Sequence, residues 1–204
     1  AGEYRCNLWV NDQNYQASGE QAVEFEDGVD ASLEFSLQQR TATITVYVKT
    51  TDDNQLVKDA SNARVNAHST DSGWTDQRLE DGKAELRVAP GTYRVGMWFE
   101  GQSDYIFGWS NEKEVTVKDG ESAQRTLSVN RVSGRLTATL KDTDGKAVKN
   151  AWVGCGNWPE LQDNPRGDFD SGRVIENGAQ SGADGIAVVG LVEGHEYECW
   201  VGVN

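Results

Sequence analysis

Histidine is nearly missing from this chain: His68 and His195 are the only two in 204 residues. Metal clusters of histidine with carboxylate and most nucleophile-base pairs depend on imidazole, so its scarcity counts against both. No Gly-x-Ser-x-Gly elbow, phosphate-cradling glycine loop or Cys-x-x-Cys pair is present either. Basic residues are also short, with 19 Lys and Arg against 33 Asp and Glu and a net charge of -14. Nucleic-acid phosphate needs a basic face that releases counterions, so that class of partner is excluded. No apolar run approaches the roughly 18 residues of a membrane helix, and no membrane insertion is expected. Asn-x-Ser/Thr sequons are absent despite many asparagines, which fits a prokaryotic exterior.

Helical periodicity is absent as well. Seven Trp, six Tyr, five Phe and 37% hydrophobic residues nevertheless supply apolar material for about two domains near 100 residues each. The material is repetitive. Gly2-Glu-Tyr4-Arg-Cys6, Gly91-Thr-Tyr93-Arg-Val95 and Gly194-His-Glu-Tyr197-Glu-Cys199 share one phrase, a turn leading into a strand with alternate apolar residues. The tyrosines stand 89 and 104 residues apart, the signature of an array.

Strands are legible from period-2 alternation. Ala42, Ile44, Val46 and Val48 form one inward face, and Ala63, Val65 and Ala67 a second. Asp81-Gly82 suits a tight hairpin before Ala84, Leu86 and Val88. Tyr93, Val95, Met97 and Phe99 follow, then Val115/Val117 and Leu127/Val129. Residues 132–204 repeat the first half of this order through Leu136, Ala138 and Leu140, Ala151, Val153 and Cys155, and Tyr197, Cys199 and Val201. Residues 1–40 supply the second half, with Tyr4, Cys6, Leu8 and Val10, then Val23 and Phe25, then Leu33, Phe35 and Leu37. The expected organisation is a complete sandwich over 41–131 flanked by a C-terminal half-module over 1–40 and an N-terminal half-module over 132–204. Gln38-Gln-Arg40 and Asn130-Arg-Val132 are the short linkers.

Asp144-Gly145, Ala151-Trp-Val153, Asp81-Gly82 and Pro90-Gly-Thr-Tyr93 resemble the strand and turn pattern of prealbumin-like modules, grouped as carboxypeptidase regulatory-like and collagen-adhesin B-type (Cna-B) repeats. The resemblance implies an all-β chain of tandem immunoglobulin-like, prealbumin-type β-sandwich modules. It further implies a structural stalk or fibre segment of an extracellular surface protein or adhesin, with no catalysis and no cofactor. The split module, whose ends overlap by one strand at a shift of 193 residues, makes neighbouring copies of the same repeat the expected partners, joined as a covalent array or head to tail. Modules of the Cna-B kind often carry a Lys to Asn amide cross-link. Lys49, Lys141 and Asn130 match that poorly, because Lys49 follows inward Val48 and should point outward.

The repeat alignment pairs Cys155 with Ala67 and Cys199 with Val95. Both cysteines are present in one module and both replaced in the other, so a Cys155–Cys199 disulfide is expected. It would close a loop of about 45 residues and add about 3 to 4 kcal/mol, and it places the chain outside the reducing cytosol. Cys6 corresponds to Cys199 at a shift of 193 residues, so its partner is expected in a neighbouring repeat.

A rival reading makes this a carbohydrate- or protein-binding module using the long excursion over 156–183. That loop holds Trp158 and the run Arg166-Gly167-Asp168-Phe169, and a host or cell-surface ligand would be its partner. Trp9, Trp98, Trp109 and Trp158 could stack sugars, although a Trp out of phase with its strand's inward residues, as Trp98 is, also suits contact between modules. Asp142-Thr-Asp144-Gly145 begins like a calcium loop but lacks its later ligands, so no metal site is expected.

Overall fold

The computed structural model describes residues 2–6, 8, 10, 12–17, 20–28, 30–69, 73–108, 112–157 and 176–202. Every regular element among them is a β-strand. Four short strands come first: β1 (Gly2–Cys6), β2 (Tyr15–Ala17), β3 (Gln21–Phe25) and β4 (Leu37–Gln39). β1 pairs with β3, and β2 with β4, both antiparallel.

The next eight strands build a sandwich. They are β5 (Ala42–Thr50), β6 (Ala63–Ser69), β7 (Gly73–Arg78), β8 (Lys83–Val88), β9 (Gly91–Phe99), β10 (Tyr105–Ile106), β11 (Lys113–Val117) and β12 (Ser122–Arg131). One sheet runs β10-β12-β5-β8 and the other β11-β9-β6-β7. All neighbours are antiparallel except β12 and β5, which run parallel. The alternation read from sequence becomes the core: Ile44, Val46, Val65, Leu86, Tyr93, Val95, Leu127 and Val129 are fully buried between the sheets. Each Val, Leu or Ile so buried contributes about 1.5 to 3 kcal/mol of transfer free energy. At the β7–β8 connection Asp81 and Gly82 both take positive φ, 49° and 78°, as the expected tight hairpin requires.

Two strands of this sandwich were not legible. The segment over 69–80 reads as a connection, yet Gly73–Arg78 pairs with β6 from Ser69↔Gly73 to Arg64↔Arg78. It is an edge strand whose inner face buries only Thr75, so it carries no apolar alternation to read. β10 is two residues long and has no pattern at all.

Five further strands follow: β13 (Gly134–Thr139), β14 (Trp152–Gly156), β15 (Glu176–Gln180), β16 (Ile186–Leu191) and β17 (Glu198–Gly202). Their sheets, β13-β16 and β15-β14-β17, reproduce β5-β8 and β7-β6-β9 of the preceding sandwich. The registers agree residue by residue. Leu136 faces Val189 as Ile44 faces Leu86, and Cys155 faces Cys199 as Ala67 faces Val95. Even the isolated bridge Lys49↔Leu56 has its counterpart in Lys141↔Ala147. β15 occupies the end of the excursion expected as loop over 156–183, and it escaped notice for the same reason as β7.

The shared tyrosine phrase has a physical role. The Tyr93 hydroxyl donates to the Ala89 carbonyl at 2.8 Å, and that of Tyr197 donates to the Val192 carbonyl at 3.1 Å. Each ring thereby pins the turn that feeds its own strand.

Candidate functional site

Two features of the C-terminal strands separate them from the sandwich they copy. The first is an open edge. In the central sandwich β12 lies beside β5 and β11 beside β9. Among the described residues no strand takes the matching places beside β13 and β17. The apolar side chains there are correspondingly uncovered: Val201 is 52% exposed, whereas Met97, its counterpart opposite Val65, is 6% exposed. Leu136, Ala138 and Leu140 are only half-buried, where Ile44, Val46 and Val48 are fully buried. Cys155 and Cys199 are joined by a disulfide across β14 and β17, which fastens the small core of Val153, Cys155, Ala187 and Val189.

At the other end of the chain, β1 and β3 also present uncovered apolar groups. Tyr4 is 54% exposed and meets Phe25 edge-on with ring centroids 5.2 Å apart. Leu33 and Leu37 are exposed too. Cys6, a free thiol, ends β1 opposite Gln21. The intervening segment is attached to the central sandwich. Gln16 is buried, its side-chain amide donating to the Tyr93 hydroxyl at 3.0 Å while its carbonyl oxygen accepts from the Ala89 N–H at 3.2 Å. The Arg87 guanidinium on β8 donates to the Arg40 carbonyl at 3.2 Å.

The second feature is the joint between the sandwiches. β12 runs through Arg131, so the linker is Val132 and Ser133. The Val132 N–H donates to the Asp104 carbonyl at 2.8 Å, on the central side. The Ser133 N–H donates to the Leu191 carbonyl at 2.9 Å, and the Ser133 hydroxyl accepts from the Glu193 N–H at 2.6 Å, both on the C-terminal side. Arg135 reaches back to Asp104 at 2.8 Å, and Arg131 pairs with Asp52 and Asp53. Burial opposes the charge of Arg131, but Asp52 and Asp53 outweigh it and raise its pKa. The Tyr105 hydroxyl donates to Asp59 at 2.7 Å, and its pKa is pushed up first by burial and then by that bond and charge. Asp53 is held below the usual carboxylate range, chiefly by the hydroxyl of Thr50.

Beside this joint lies a cleft of about 570 Å3. One wall carries Trp98 and Gln102, the other Trp152, Trp200, Asn177 and Gln180. Trp98 sits on the outer sheet face, out of phase with buried Val95 and Met97, and stacks on Trp74 at 5.8 Å. Trp152 and Trp200, which the sequence reading passed over, lie on the outer face of the β15-β14-β17 sheet. A Cβ added to Gly154 would overlap the Trp200 indole, and one added to Gly178 would overlap that of Trp152. Each indole therefore lies flat on a glycine of the neighbouring strand. A Trp set against a glycine on the adjacent strand was the available signal.

Trp158, Arg166, Gly167, Asp168 and Phe169 lie outside the described residues, as do Trp9 and Trp109. The Asp142 carboxylate is occupied within its own turn, accepting from the Asp144 and Lys146 N–H groups. No group of three or more metal-ligating side chains occurs among the described residues. Lys49 alternates with buried Val48 and Thr50 and so faces away from the core, while the Asn130 side-chain oxygen Oδ1 accepts from the Thr51 hydroxyl at 2.6 Å. Asn66 and His68 meet at 3.5 Å on an outer face, and His195 lies against Tyr197.

Fold and joint define an all-β chain in which one β-sandwich is followed by five strands of a second with the same register. No protein-family model matches the chain, and no curated protein matches it in sequence. Among solved structures it is similar to the Bacillus anthracis TIE protein, at 16% identity over 98% of this chain and 38% of that one, with a TM-score of 0.38. A Streptococcal ancillary pilin aligns at 13% identity over 98% of this chain and 66% of its own, with a TM-score of 0.37. A DUF3823 family protein from Bacteroides ovatus aligns at 14% identity over 79% and 80% of the two chains, with a TM-score of 0.36. The chain thus spans about two fifths of the first and two thirds of the second. Likeness at this level carries no argument about what the chain does.

Proposed function

We propose that this chain is a segment of an extracellular stalk built from repeated β-sandwich modules, with a mechanical rather than catalytic role. The observation that carries the reading is the two-residue joint. Val132 is bonded to the module before it and Ser133 to the module after it, with Arg135–Asp104 bridging the two. A joint bonded on both sides, with few free backbone torsions, transmits orientation from module to module, and a stalk needs that property. The disulfide fits an oxidising exterior. The acidic surface keeps exposed, crowded copies soluble.

Completion of the second sandwich follows in the same reading. In such an array β1 of the next copy coincides with β17, so the strand equivalent to β3 takes the free edge and brings Val23, Phe25 and Leu33 over the half-buried C-terminal core. At a shift of 193 residues Cys6 stands in for Cys199 and becomes the partner of a Cys155. Small-angle scattering on chains of one, two and three copies joined at that shift tests the stalk directly. The maximum dimension should grow by a constant increment per copy. A dimension that grows only as the cube root of mass would contradict it.

A further inference from the structure

We propose that the cleft beside the joint is a binding site for a neutral oligosaccharide, held between Trp98 of one sandwich and Trp152 and Trp200 of the next.

Three observations point to a sugar. First, the indoles are fixed platforms. Trp152 and Trp200 each lie with one face on a glycine, Gly178 and Gly154, and remain 48% and 39% exposed. The opposite wall is likewise braced, because Trp98 stacks on Trp74. A pyranose ring offers a face of polarised C–H groups that matches the negative face of an indole, and a braced indole loses little entropy on binding.

Second, amide side chains stand at the rim. Gln180 donates from its side-chain nitrogen to the Asn150 carbonyl at 3.2 Å, which leaves its oxygen oriented and able to accept from a hydroxyl. Asn177 is fixed at both ends, donating to the Gly190 carbonyl and accepting from the Gly178 N–H. Third, the charge is balanced. Arg135, the cation lining the cleft, is paired with Asp104 at 2.8 Å, in a chain of net charge -14. The Asp104 carboxylate beside Arg135 and the field of the whole protein both oppose an anionic ligand, so the cleft favours an uncharged one. Its volume of about 570 Å3 falls within the roughly 300–1,000 Å3 of small-ligand sites.

Contrast with the central sandwich sharpens the point. The strand position that holds Trp200 beside Gly154 in the second sandwich holds Gly96 beside Asn66 in the first. The shared fold does not require the indole there.

The test uses the whole 204-residue chain on a glycan array, followed by titration of the strongest neutral hit with tryptophan fluorescence and calorimetry. The expected result is saturable binding with a change in indole emission, weakened at least 10-fold by Trp200→Ala and by Trp98→Ala. Trp98 and Trp200 stand on different sandwiches, so a folding defect in one variant leaves the other informative, and circular dichroism identifies the folded one. Lys83→Gln, on β8 and outside the cleft lining, should leave the affinity unchanged. Three outcomes would overturn the proposal: no saturable neutral ligand, a ligand indifferent to both tryptophans, or binding confined to sulfated or sialylated glycans and dependent on Arg135.

Discussion

The central sandwich and the five strands that follow it differ less in pattern than in completeness. Both set the same inward residues in the same register, and both pin a turn with the hydroxyl of a tyrosine. The central one adds β11 and β12, and with them Val115, Val117, Leu127 and Val129, all buried. Among the described residues no such layer covers the second, which has a disulfide between the positions of Ala67 and Val95. A sandwich needs both edges filled before its inward residues are dry. Where they are not, a covalent tie between two strands offsets part of the missing hydrophobic free energy.

The comparison breaks most sharply at that tie. Replacing Cys155 by Ala and Cys199 by Val, the residues of the central sandwich, should cost the C-terminal strands about 4 kcal/mol, as expected for a closed loop near 45 residues. Hydrogen exchange over 134–202 during a urea titration should register the loss, with residues 42–131 unaffected. An equal loss in both regions would mean that the two unfold as one unit.

Next in size is the pair Ile44→Ala and Leu136→Ala at equivalent positions. Ile44 is fully buried and should cost about 3 kcal/mol, while half-buried Leu136 should cost about 1. Equal costs, read from denaturation midpoints, would show that the edge of β13 is already covered. A smaller effect separates the outer faces. Gly154→Ala would push a methyl into the Trp200 indole and cost about 1 to 3 kcal/mol of strain. Gly134→Ala meets nothing within 4 Å and should be near neutral.

Last comes an alkaline effect confined to the central sandwich. The folded pKa of Tyr105 is raised, first by burial and then by Asp59, so its contribution is whole below the ordinary tyrosine pKa. That contribution is lost as pH rises through the higher folded value. Thermal melts should therefore decline at alkaline pH for the parent chain, and less steeply for Tyr105→Phe.

What could be read in advance followed the chemistry of each strand. Strands that bury one face, such as β5, β8 and β9, announce themselves by alternation, and Asp81-Gly82 announces its turn. Cys155 and Cys199 were legible as a pair because two apolar residues replace them together in the other module. Edge strands β7 and β15 left no trace, since their cohesion comes from backbone bonds to β6 and β14 rather than from apolar side chains. The joint was legible in place, as Asn130-Arg-Val132 against the observed Val132 and Ser133, but silent in its bonding. Its bonds are made by main-chain groups of Val132, Ser133 and Asp104, which any sequence possesses. The cleft was half visible: Trp98 drew notice as an outward residue, but Trp152 and Trp200 gain meaning only beside Gly178 and Gly154, which are brought close by register.

The claim that the C-terminal strands are an unfinished copy is tested most directly by hydrogen exchange at β13. The comparison is between the 204-residue chain and one in which residues 1–193 are followed by a second full copy. The open edge of β13 predicts fast exchange in the single chain. The fused chain supplies the layer that β11 and β12 provide in the central sandwich, and should protect Gly134–Thr139 of the first copy by at least about 100-fold. Equal protection in the two chains would contradict the account.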